Sequence, residues 1–401
     1  MSGIVVIGAG QAGSSLVAKL RGLGFEGALT LIGAESVPPY QRPPLSKKYL
    51  LGEMDLERLY LRPRSFYEEQ GIDLRLGTRV DAIDRNAREV VIGDARLGYD
   101  QLVLTTGSAP RRLPGAIGGD LDGVYTMRDL ADADHMARVF RAGATVLIVG
   151  GGYIGLEAAA VAASRGLNVV LVEMAERILQ RVAAEQTSAY FRALHGRHGV
   201  DIREGVGLER LTGEGHVNGA VLTDGTVMDV DFVIVGVGIA PETALAEAAG
   251  LIIDNGISTD AHGRTSDPHI WAAGDCASFP YRDARLRLES VPNAIDMADC
   301  VAENLLGAGK PYVPQPWFWS DQYDVKLQIA GLNTGYDDVI TRIGDNGVSF
   351  WYFADDRLLA VDAANDARAY MVGKRLIDMG KTADKAAVAD PQADLKALLR
   401  V

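Results

Sequence analysis

Residues 146–160 read VLIVGGGYIGLEAAA, and residues 4–13 read IVVIGAGQAG. In both stretches a run of aliphatic residues leads into glycines with the spacing G-x-G-x-x-G. This order predicts a strand, a tight turn and a helix, in which the first glycine permits the turn and the third lets the helix pack closely on the strand. The glycines are Gly150, Gly152 and Gly155 in one copy, and Gly8, Gly10 and Gly13 in the other.

A glutamate follows each turn and indicates what the turns bind. Glu35 ends the stretch ALTLIGAE and Glu173 ends the stretch NVVLVE, each about 20 residues past its last glycine. A carboxylate in this place accepts the ribose hydroxyls of an adenosine, while the pyrophosphate lies on the helix N-terminus. A lone turn of this kind, or a lone glutamate, also occurs in ordinary loops. Because both features occur twice, we predict that the chain binds two dinucleotides.

The composition restricts the class of protein. The chain has 401 residues, of which 48% are hydrophobic and 23% charged, as is typical of a globular protein with two or three domains. We expect it to be soluble and cytoplasmic, with no membrane partner, because no run of 18 apolar residues occurs. The net charge of −13 disfavours a nucleic-acid partner. Cys276 and Cys300 are too few and too far apart for a metal site or a redox pair.

The fold class follows from the order of the predicted elements. Residues 100–110 and 231–241 each read as a buried strand followed by a glycine turn and a proline, so two units end alike. From residue 320 onwards, antiparallel strands are expected at 325–331, 347–353 and 357–365, with a helix at 367–379. We therefore predict an α/β protein with two Rossmann-like three-layer nucleotide-binding domains and a C-terminal α+β domain.

Several motifs taken together resemble one enzyme family over the whole chain. The family is that of the FAD-dependent, NADH-using ferredoxin reductases of the putidaredoxin reductase type, within the glutathione reductase superfamily. The motifs are GAGQAG at 8–13, PPLSK at 43–47, TTG at 105–107, GGGYIGLE at 150–157, GVGIAP at 236–241, AAGDC at 272–276 and PWFWSDQYD at 316–324.

The resemblance implies an activity, its cofactors and a domain order. The first turn is expected to bind FAD and the second NADH, and single electrons are expected to pass to an acidic 2Fe-2S ferredoxin that serves a haem monooxygenase or a ring dioxygenase. The protein is expected to be a monomer or weak dimer. The implied segments are an FAD-binding domain in 1–114 and 245–320, an NADH-binding domain in 115–244 and a C-terminal interface domain in 321–401.

The resemblance also implies roles for individual residues. The catalytic pair is Lys47, beside the flavin ring, and Glu157, which holds it. The implied FAD residues are Gly8, Gly10, Gly13, Glu35, Arg42, Lys47, Thr106, Gly107, Gly274, Asp275, Val291 and Trp319. The implied NADH residues are Gly150, Gly152, Tyr153, Ile154, Gly155, Glu173, Gly236, Val237 and Gly238.

Elementary electrostatics supports part of this picture. Glu157 precedes three alanines in a helical stretch, and a carboxylate buried there needs a cationic partner, whereas an exposed one would gain only the helix dipole. Asp275 follows a short strand, expected at 269–273, at the sheet edge where ligands bind, although a turn aspartate fits equally well. Glu173 should favour NADH because a carboxylate repels the 2′-phosphate of NADPH; Arg177, close by, could weaken that preference.

Other functions stay open at this point. A rubredoxin reductase, an NADH oxidase-like flavoenzyme and a flavin-fold signalling protein all fit the paired turns. Thiol chemistry is disfavoured because residues 35–47 contain no cysteine. An acidic ferredoxin would dock on a basic patch, and two groups of basic residues are candidates, namely Arg282, Arg285 and Arg287, and Lys374, Arg375 and Lys381.

Overall fold

The computed structural model describes residues 3–344 and 347–400. The strands, in chain order, are β1 (Gly3–Ile7), β2 (Leu29–Ile32), β3 (Asp73–Arg75), β4 (Ala82–Asp84), β5 (Glu89–Ile92), β6 (Ala95–Leu104), β7 (Ser108–Pro110), β8 (Val124–Tyr125), β9 (Thr145–Val149), β10 (Asn168–Glu173), β11 (Asp201–Glu204), β12 (Leu208–Thr212), β13 (Gly219–Leu222), β14 (Val227–Asp229), β15 (Phe232–Val235), β16 (Ile239–Pro241), β17 (Ile257–Ser258), β18 (Ile270–Ala272), β19 (Ala277–Tyr281), β20 (Ala284–Leu286), β21 (Trp317–Gln322), β22 (Val325–Gly331), β23 (Asp338–Ile343), β24 (Val348–Ala354) and β25 (Arg357–Ala364).

Helices connect most of these strands. The α-helices are α1 (Gln11–Gly22), α2 (Leu56–Leu59), α3 (Arg64–Glu69), α4 (Leu130–Ala137), α5 (Tyr153–Ser164), α6 (Glu185–Arg197), α7 (Ala244–Ala248), α8 (Val291–Leu305), α9 (Ala367–Asp378) and α10 (Lys385–Ala389). The described residues also form a π-helix at Leu45–Tyr49 and 3-10 helices at Gly115–Ile117 and Leu395–Arg400. None of the helices formed by the described residues has the length and apolar character that a membrane crossing needs.

The chain divides into two compact units, each built from three segments. Unit 1 consists of Met1–Arg42, Met54–Ala109 and Ile239–Pro316. Unit 2 consists of Pro43–Glu53, Pro110–Gly238 and Trp317–Val401. The PPLSK stretch therefore belongs to the same unit as the second glycine turn. The predicted four-segment division stays a prediction.

Unit 1 is built on one large sheet. Its strands lie in the order β3-β2-β1-β6-β5-β4, and β18 also pairs with β6. The strands β3, β2, β1, β6 and β18 are parallel to their neighbours, whereas β4 and β5 add an antiparallel edge. Strands β1, β2 and β18 are largely apolar and largely buried, as is typical of parallel strands that helices cover. Helix α1 packs against α8. This sheet brings the carboxyl ends of β1, β6 and β18 side by side.

Unit 2 contains a second parallel sheet and a C-terminal antiparallel sheet. The parallel sheet has the order β11-β10-β9-β15-β8, and the antiparallel sheet has the order β21-β22-β25-β24-β23. A small sheet of β12, β13 and β14 is also present. Helix α9 packs on β25 and β22. Helix α5 packs on β9 and β10, and also contacts the π-helix and β21, so it is enclosed on several faces. Its apolar composition suits that burial.

Most predicted elements lie close to the observed ones. The predicted strand at 325–331 and β22 coincide, and the helix expected at 367–379 ends one residue earlier, at Asp378. Two boundary predictions were wrong. The sequence after the first turn indicates a helix at 14–23, but the helix begins at Gln11 because Gly10 already caps it. The stretch ALTLIGAE indicates a strand that ends at Glu35, but β2 ends at Ile32, so Glu35 follows the strand.

A buried acid holds the C-terminal sheet to helix α6 within unit 2. Asp362 of β25 accepts hydrogen bonds from the hydroxyls of Tyr352 and Thr187, the latter at 2.9 Å. Its carboxyl is almost fully buried, at 1% exposure. Burial raises the pKa of Asp362 to about 6, against a usual 3.8, and the two hydroxyls offset part of that rise. The folded protein therefore holds this proton more tightly than the unfolded chain does.

Because the folded-state pKa is the higher one, the contribution of Asp362 to stability falls as the pH rises from about 4 to about 6. We predict that Asp362→Asn removes this loss, so that the free energy of unfolding of the variant, relative to wild type, rises by about 3 kcal/mol between pH 4 and 7. Urea denaturation followed by tryptophan fluorescence measures it. Asp356→Asn, at the exposed turn between β24 and β25, is the control. A difference that stays constant with pH would contradict the assignment.

Candidate functional site

The first glycine turn joins β1 to α1 in unit 1. Gly8 has a φ of +115°, and a Cβ there would lie 2.2 Å from the carbonyl oxygen of Thr105. A Cβ on Gly13 would lie 2.1 Å from the carbonyl oxygen of Gly8. Thr105 also supports the turn directly, since its hydroxyl donates to the carbonyl oxygen of Gly8 at 2.8 Å. Both glycines are therefore required by close backbone packing.

The second glycine turn, in unit 2, repeats this geometry between β9 and α5. Gly150 has a φ of +109°, and a Cβ there would lie 2.5 Å from the carbonyl oxygen of Gly236. A Cβ on Gly155 would lie 2.0 Å from the carbonyl oxygen of Gly150. Gly236 follows β15 and donates its N–H to Val149 at 2.8 Å. The second glycine turn and Gly236, both predicted for the NADH site, therefore lie in contact.

The middle glycine differs from the other two in both turns. Beyond the glycine itself and its chain neighbours, no atom of the described residues would lie within 4 Å of a Cβ on Gly10 or on Gly152. Both residues have φ values that other amino acids adopt, −97° and −80°. Internal packing therefore does not explain these glycines. An open space above the N-terminus of each helix suits a phosphate group that approaches the backbone closely. Both turns fit the pyrophosphate of a dinucleotide.

The acid predicted for the first site lies beside a basic and a phenolic side chain. Glu35 Oε1 accepts from Arg42 Nη2 at 2.7 Å, and Glu35 Oε2 accepts from Tyr40 at 2.5 Å. The structure thus brings together Glu35 and Arg42, both predicted to bind FAD. Tyr40 belongs to the same group, although the motifs did not point to it. A carboxylate has about four acceptor positions, so Glu35 keeps capacity for ribose hydroxyls.

Four other residues predicted for FAD in unit 1 lie at the carboxyl ends of β6 and β18. The hydroxyl of Thr106 donates to the carbonyl oxygen of Glu242 at 2.7 Å, and Gly107 accepts from the N–H of Glu242 at 2.9 Å. Gly274 has a φ of +83°, which glycine adopts without strain. Asp275 accepts from the hydroxyl of Ser108 at 2.8 Å, and its contact with FAD stays a prediction.

Helix α8 of unit 1 begins at Val291. Ser290 caps the helix by accepting from the N–H of Asn293 at 3.2 Å. Pro292, the second residue, has no N–H, and the N–H of Asn293 is bonded to Ser290, so Val291 carries the first-turn N–H that a ligand could bind. The part in FAD binding that the resemblance implies for Val291 would use that N–H and the helix dipole.

In unit 2 the acid predicted for the second site supports the glycine turn. Glu173 Oε2 accepts from the N–H of Gly151 at 2.7 Å, and its Oε1 accepts from the N–H of Ala175 at 2.8 Å. Both bonds fix the carboxylate beside the turn, where an adenosine ribose would lie. Val237 and Ile154 are partly exposed hydrophobic residues, at 38% and 44%.

Two further residues predicted to bind NADH, Gly238 and Tyr153, also lie in unit 2. Gly238 has a φ of +98° and accepts from the N–H of Arg111 at 2.9 Å. The ring of Tyr153 packs on Phe318, with centroids 5.3 Å apart. Its hydroxyl is buried with no hydrogen-bond partner among the described atoms. Trp319, predicted for FAD, stands on β21 of the same unit, 5.6 Å from the ring of Trp317.

The predicted catalytic pair forms an ion pair inside unit 2. Lys47 Nζ lies 2.9 Å from Glu157 Oε1, and the side chains are 18% and 11% exposed. Lys47 interrupts the π-helix with φ −131° and ψ −111°, and π-helical turns are frequent at functional sites. The hydroxyl of Ser320 donates to the same oxygen of Glu157 at 2.7 Å. Burial raises the pKa of Glu157, while Lys47 and Ser320 lower it.

Several residues around these sites were not predicted from the sequence. Thr105 had a signal, since it belongs to the TTG motif. Ser320 and Gln322 also had one, since they lie in the PWFWSDQYD motif at alternate positions of a strand. His195 had none, because a single histidine inside a helix carries no pattern. Cys276 is fully buried.

Comparison with known protein families identifies the group to which the chain is related. A model described as pyridine nucleotide-disulphide oxidoreductase matches residues 2–298, and one described as reductase C-terminal matches residues 317–399. The chain belongs to the pyridine nucleotide-disulphide oxidoreductase family.

Individual relatives refine this assignment. The chain is 43% identical to a ferredoxin–NAD(P)+ reductase of a Sphingomonas species, with 98% of this chain and 96% of the relative covered. It is 41% identical to putidaredoxin reductase of Pseudomonas putida, with 99% and 96% covered. Among solved structures, the covalent putidaredoxin reductase–putidaredoxin complex matches with a TM-score of 0.96 and 40% identity, over 100% of this chain and 98% of that chain.

These comparisons decide three of the predictions made from the motifs. The resemblance to reductases of the putidaredoxin reductase type is confirmed, and so is the α/β fold class. The use of FAD and a nicotinamide dinucleotide is confirmed as well. The roles of the individual site residues stay predictions.

The contrast between the glycines can be tested. We expect Gly13→Ala to destabilise the protein with or without cofactor, because the new Cβ would meet a backbone oxygen. Gly10→Ala should leave the stability of the apoprotein unchanged but weaken FAD binding by about tenfold or more, because the Cβ occupies the ligand's space. In the second turn, Gly155→Ala should likewise destabilise the protein, and Gly152→Ala should weaken NADH binding without changing the stability. Thermal melts and equilibrium binding of each dinucleotide measure the two effects. Wild-type affinity in Gly10→Ala or Gly152→Ala would contradict the assignment of that turn.

Proposed function

We propose that this protein is an FAD-dependent NADH:ferredoxin reductase. It passes a hydride from NADH to FAD, and then single electrons to a 2Fe-2S ferredoxin that serves a haem monooxygenase or a ring dioxygenase. The observation that carries the proposal is the pair of glycine turns with the same open middle position, since a chain that binds two dinucleotides can pass electrons from one to the other. The relatives support the choice of a ferredoxin as acceptor.

The residues of the chain bind and orient the two cofactors. The first turn with Glu35 and Arg42 would hold FAD, and the second turn with Glu173 would hold NADH. When bound, FAD accepts two electrons as a hydride and releases them one at a time. No acid or base is required for that transfer, so the contribution of the protein is positioning and electrostatics.

We assign the electrostatic part to Lys47. Its ammonium is held at Glu157, in surroundings where most of both side chains is removed from water. A charge fixed in such a place needs little reorganisation when negative charge develops nearby, and its effect is larger than in water. Glu157 would fix the position of Lys47 and thereby act through it.

This role of Lys47 predicts a specific loss of rate. We expect Lys47→Met to slow the bleaching of the flavin by NADH on the order of a hundredfold, because one fixed charge is lost, with the FAD content unchanged. Anaerobic stopped-flow absorbance measures the rate. Lys48→Met, which alters the exposed neighbouring lysine, should behave as wild type. Equal rates in the two variants would remove Lys47 from the mechanism.

The contacts of Arg177 support a preference for NADH over NADPH. Arg177 Nε lies 3.3 Å from Glu185, its Nη1 donates to Ser188 at 2.5 Å, and its Nη2 donates to the carbonyl oxygen of Ala183 at 2.9 Å. These contacts hold the guanidinium inside unit 2, with the side chain only 16% exposed. Arg177 is therefore not positioned to offset the repulsion between Glu173 and a 2′-phosphate.

We expect Glu173→Gln to narrow the ratio of kcat/KM for NADH over NADPH by about tenfold, because the repulsive charge is lost while an acceptor oxygen remains. Initial rates with ferricyanide as acceptor measure the ratio. Glu204→Gln is the matched control. Glu204 lies on β11 directly opposite Glu173 of β10, and its carboxylate accepts hydrogen bonds from Arg192 and from the N–H of Ile178. A ratio that changes equally in both variants would show a structural effect only.

The first of the two basic groups considered for ferredoxin docking is largely committed to the fold of unit 1. Arg285 donates to the carbonyl oxygen of Thr259 at 2.9 Å. Arg287 pairs with Glu289 at 2.6 Å, donates to the carbonyl oxygen of Asp275 at 3.2 Å, and its side chain is 9% exposed. These two guanidinium groups support the loop before α8, so they are poor candidates for docking an acidic partner.

Choice of electron acceptor tests the proposed function. The purified protein should be yellow, and NADH oxidation should be supported by a 2Fe-2S ferredoxin far better than by a rubredoxin or by oxygen alone. Fast oxidation with oxygen alone would indicate an NADH oxidase, and preference for rubredoxin would indicate a rubredoxin reductase. A flavin that NADH does not bleach would indicate a signalling protein. We place the protein in the cytoplasm, which its free cysteines support.

A further inference from the structure

Buried polar side chains continue from Glu157 into the interior of unit 2. Ser320, Gln322 and His195 are exposed by 0%, 1% and 0%. Gln322 Nε2 lies 3.1 Å from Ser320 Oγ, and Gln322 Oε1 lies 2.8 Å from His195 Nε2. His195 Nδ1 lies 3.2 Å from the hydroxyl of Tyr323. Apolar side chains in these positions would cost less free energy to bury than polar ones, so the presence of this polar group calls for an explanation.

The charge on Glu157 fixes every hydrogen in this chain of side chains. An ionised carboxylate only accepts, so the hydroxyl of Ser320 must donate its one hydrogen to Glu157. Ser320 must then accept from Gln322, which turns the amide nitrogen of Gln322 towards it and the amide oxygen towards the histidine.

The hydrogens on His195 and Tyr323 are fixed in the same way. The amide oxygen of Gln322 requires a hydrogen on His195 Nε2. A neutral histidine then has a bare Nδ1, which accepts from the hydroxyl of Tyr323. Burial lowers the pKa of His195 to about 4, and His198 adds to that shift, so the ring is neutral near pH 7. All four hydrogen bonds therefore donate in the direction of Glu157.

We propose that Tyr323, His195, Gln322 and Ser320 form a one-directional chain of hydrogen bonds that holds Glu157 ionised and oriented towards Lys47. The four are positioning residues that act through Glu157. Hydrogen bonds arranged in one direction polarise one another, and their combined dipoles favour negative charge at the accepting end. Ser320 and Lys47 bind the same oxygen of Glu157, so the chain of hydrogen bonds and the ion pair act at one atom.

Strand β21 and helices α5 and α6 supply the side chains that form this chain of hydrogen bonds. Ser320 and Gln322 are alternate residues of β21 and face the same side of the sheet, whereas Asp321 between them is exposed. Helix α5 supplies Glu157 and helix α6 supplies His195. Tyr323 stacks on the exposed His198, with ring centroids 3.7 Å apart. The chain of hydrogen bonds thus extends from the Lys47–Glu157 ion pair to the surface of unit 2.

The surroundings of Glu157 define the direction of the expected effect. Burial raises the pKa of Glu157, Asp321 raises it further, and Lys47 and Ser320 lower it. Loss of the Ser320 hydroxyl removes a donor to the ionised form. The pKa of Glu157 should then rise, and at a given pH a smaller fraction of the protein would hold the Lys47–Glu157 ion pair.

Infrared spectroscopy of the protonated carboxyl band tests this directly, with Glu157→Gln used to assign the band. We expect Ser320→Ala to move the titration of Glu157 upwards by about one pH unit, and Gln322→Met to move it in the same direction by less. Ser320→Thr, which keeps the hydroxyl, should restore the wild-type titration. Ser349→Ala is the matched control, since Ser349 is a fully buried serine of the same sheet whose hydroxyl bonds Trp351 and Asp366.

Two results would overturn the proposal. One is an unchanged Glu157 titration in folded Ser320→Ala and Gln322→Met. The other is an equal shift in Ser349→Ala, which would indicate general loosening of the sheet. If Ser320→Ala fails to fold, the comparison of Gln322→Met with wild type decides.

Because this role rests on the proposed function, a second readout separates the two. The acidic limb of the pH profile for flavin bleaching by NADH should move upwards with the infrared titration in Ser320→Ala. A protein that NADH does not bleach at any pH would remove the proposed function, while the infrared titration would still decide whether the chain of hydrogen bonds acts on Glu157.

Discussion

The buried carboxylate of Glu157 is the constraint on which the arrangement of unit 2 depends. A charge in an apolar helix is tolerated only when a cation and hydrogen-bond donors compensate it. Lys47 from the π-helix and Ser320 from β21 supply both at one oxygen atom. Segments distant in sequence therefore meet at α5, which accounts for the place of residues 43–53 in the same unit as the second turn.

The repeated glycine turn is a second, simpler constraint. In each copy two glycines are demanded by contacts within the backbone, whereas the middle one faces open space. The distinction separates what the fold needs from what a ligand needs. Two turns built alike can still serve different cofactors, because the side chains around them differ. Glu35 bonds Arg42 and Tyr40, whereas Glu173 bonds the backbone of its own turn.

Features governed by local rules could be predicted from the sequence. Glycine spacing predicted both turns, and strand periodicity predicted β22 and its neighbours. The need of Glu157 for a cation followed from electrostatics, but its partner Lys47 came from the resemblance, because only tertiary packing brings them together. The bonds among Ser320, Gln322 and His195 could not be predicted for the same reason. Charge patterns also failed to show that Arg285 and Arg287 point into the fold.

The dependence of unit 2 on the buried carboxylate can be measured as the energetic coupling between Lys47 and Glu157. Thermal midpoints at pH 8 of Lys47→Met, Glu157→Gln and the double variant complete a double-mutant cycle. We expect Lys47→Met to be the least stable of the three, because it leaves a buried carboxylate without its cation, and the added Glu157→Gln to restore part of the lost stability. Additive losses in the double variant would contradict it.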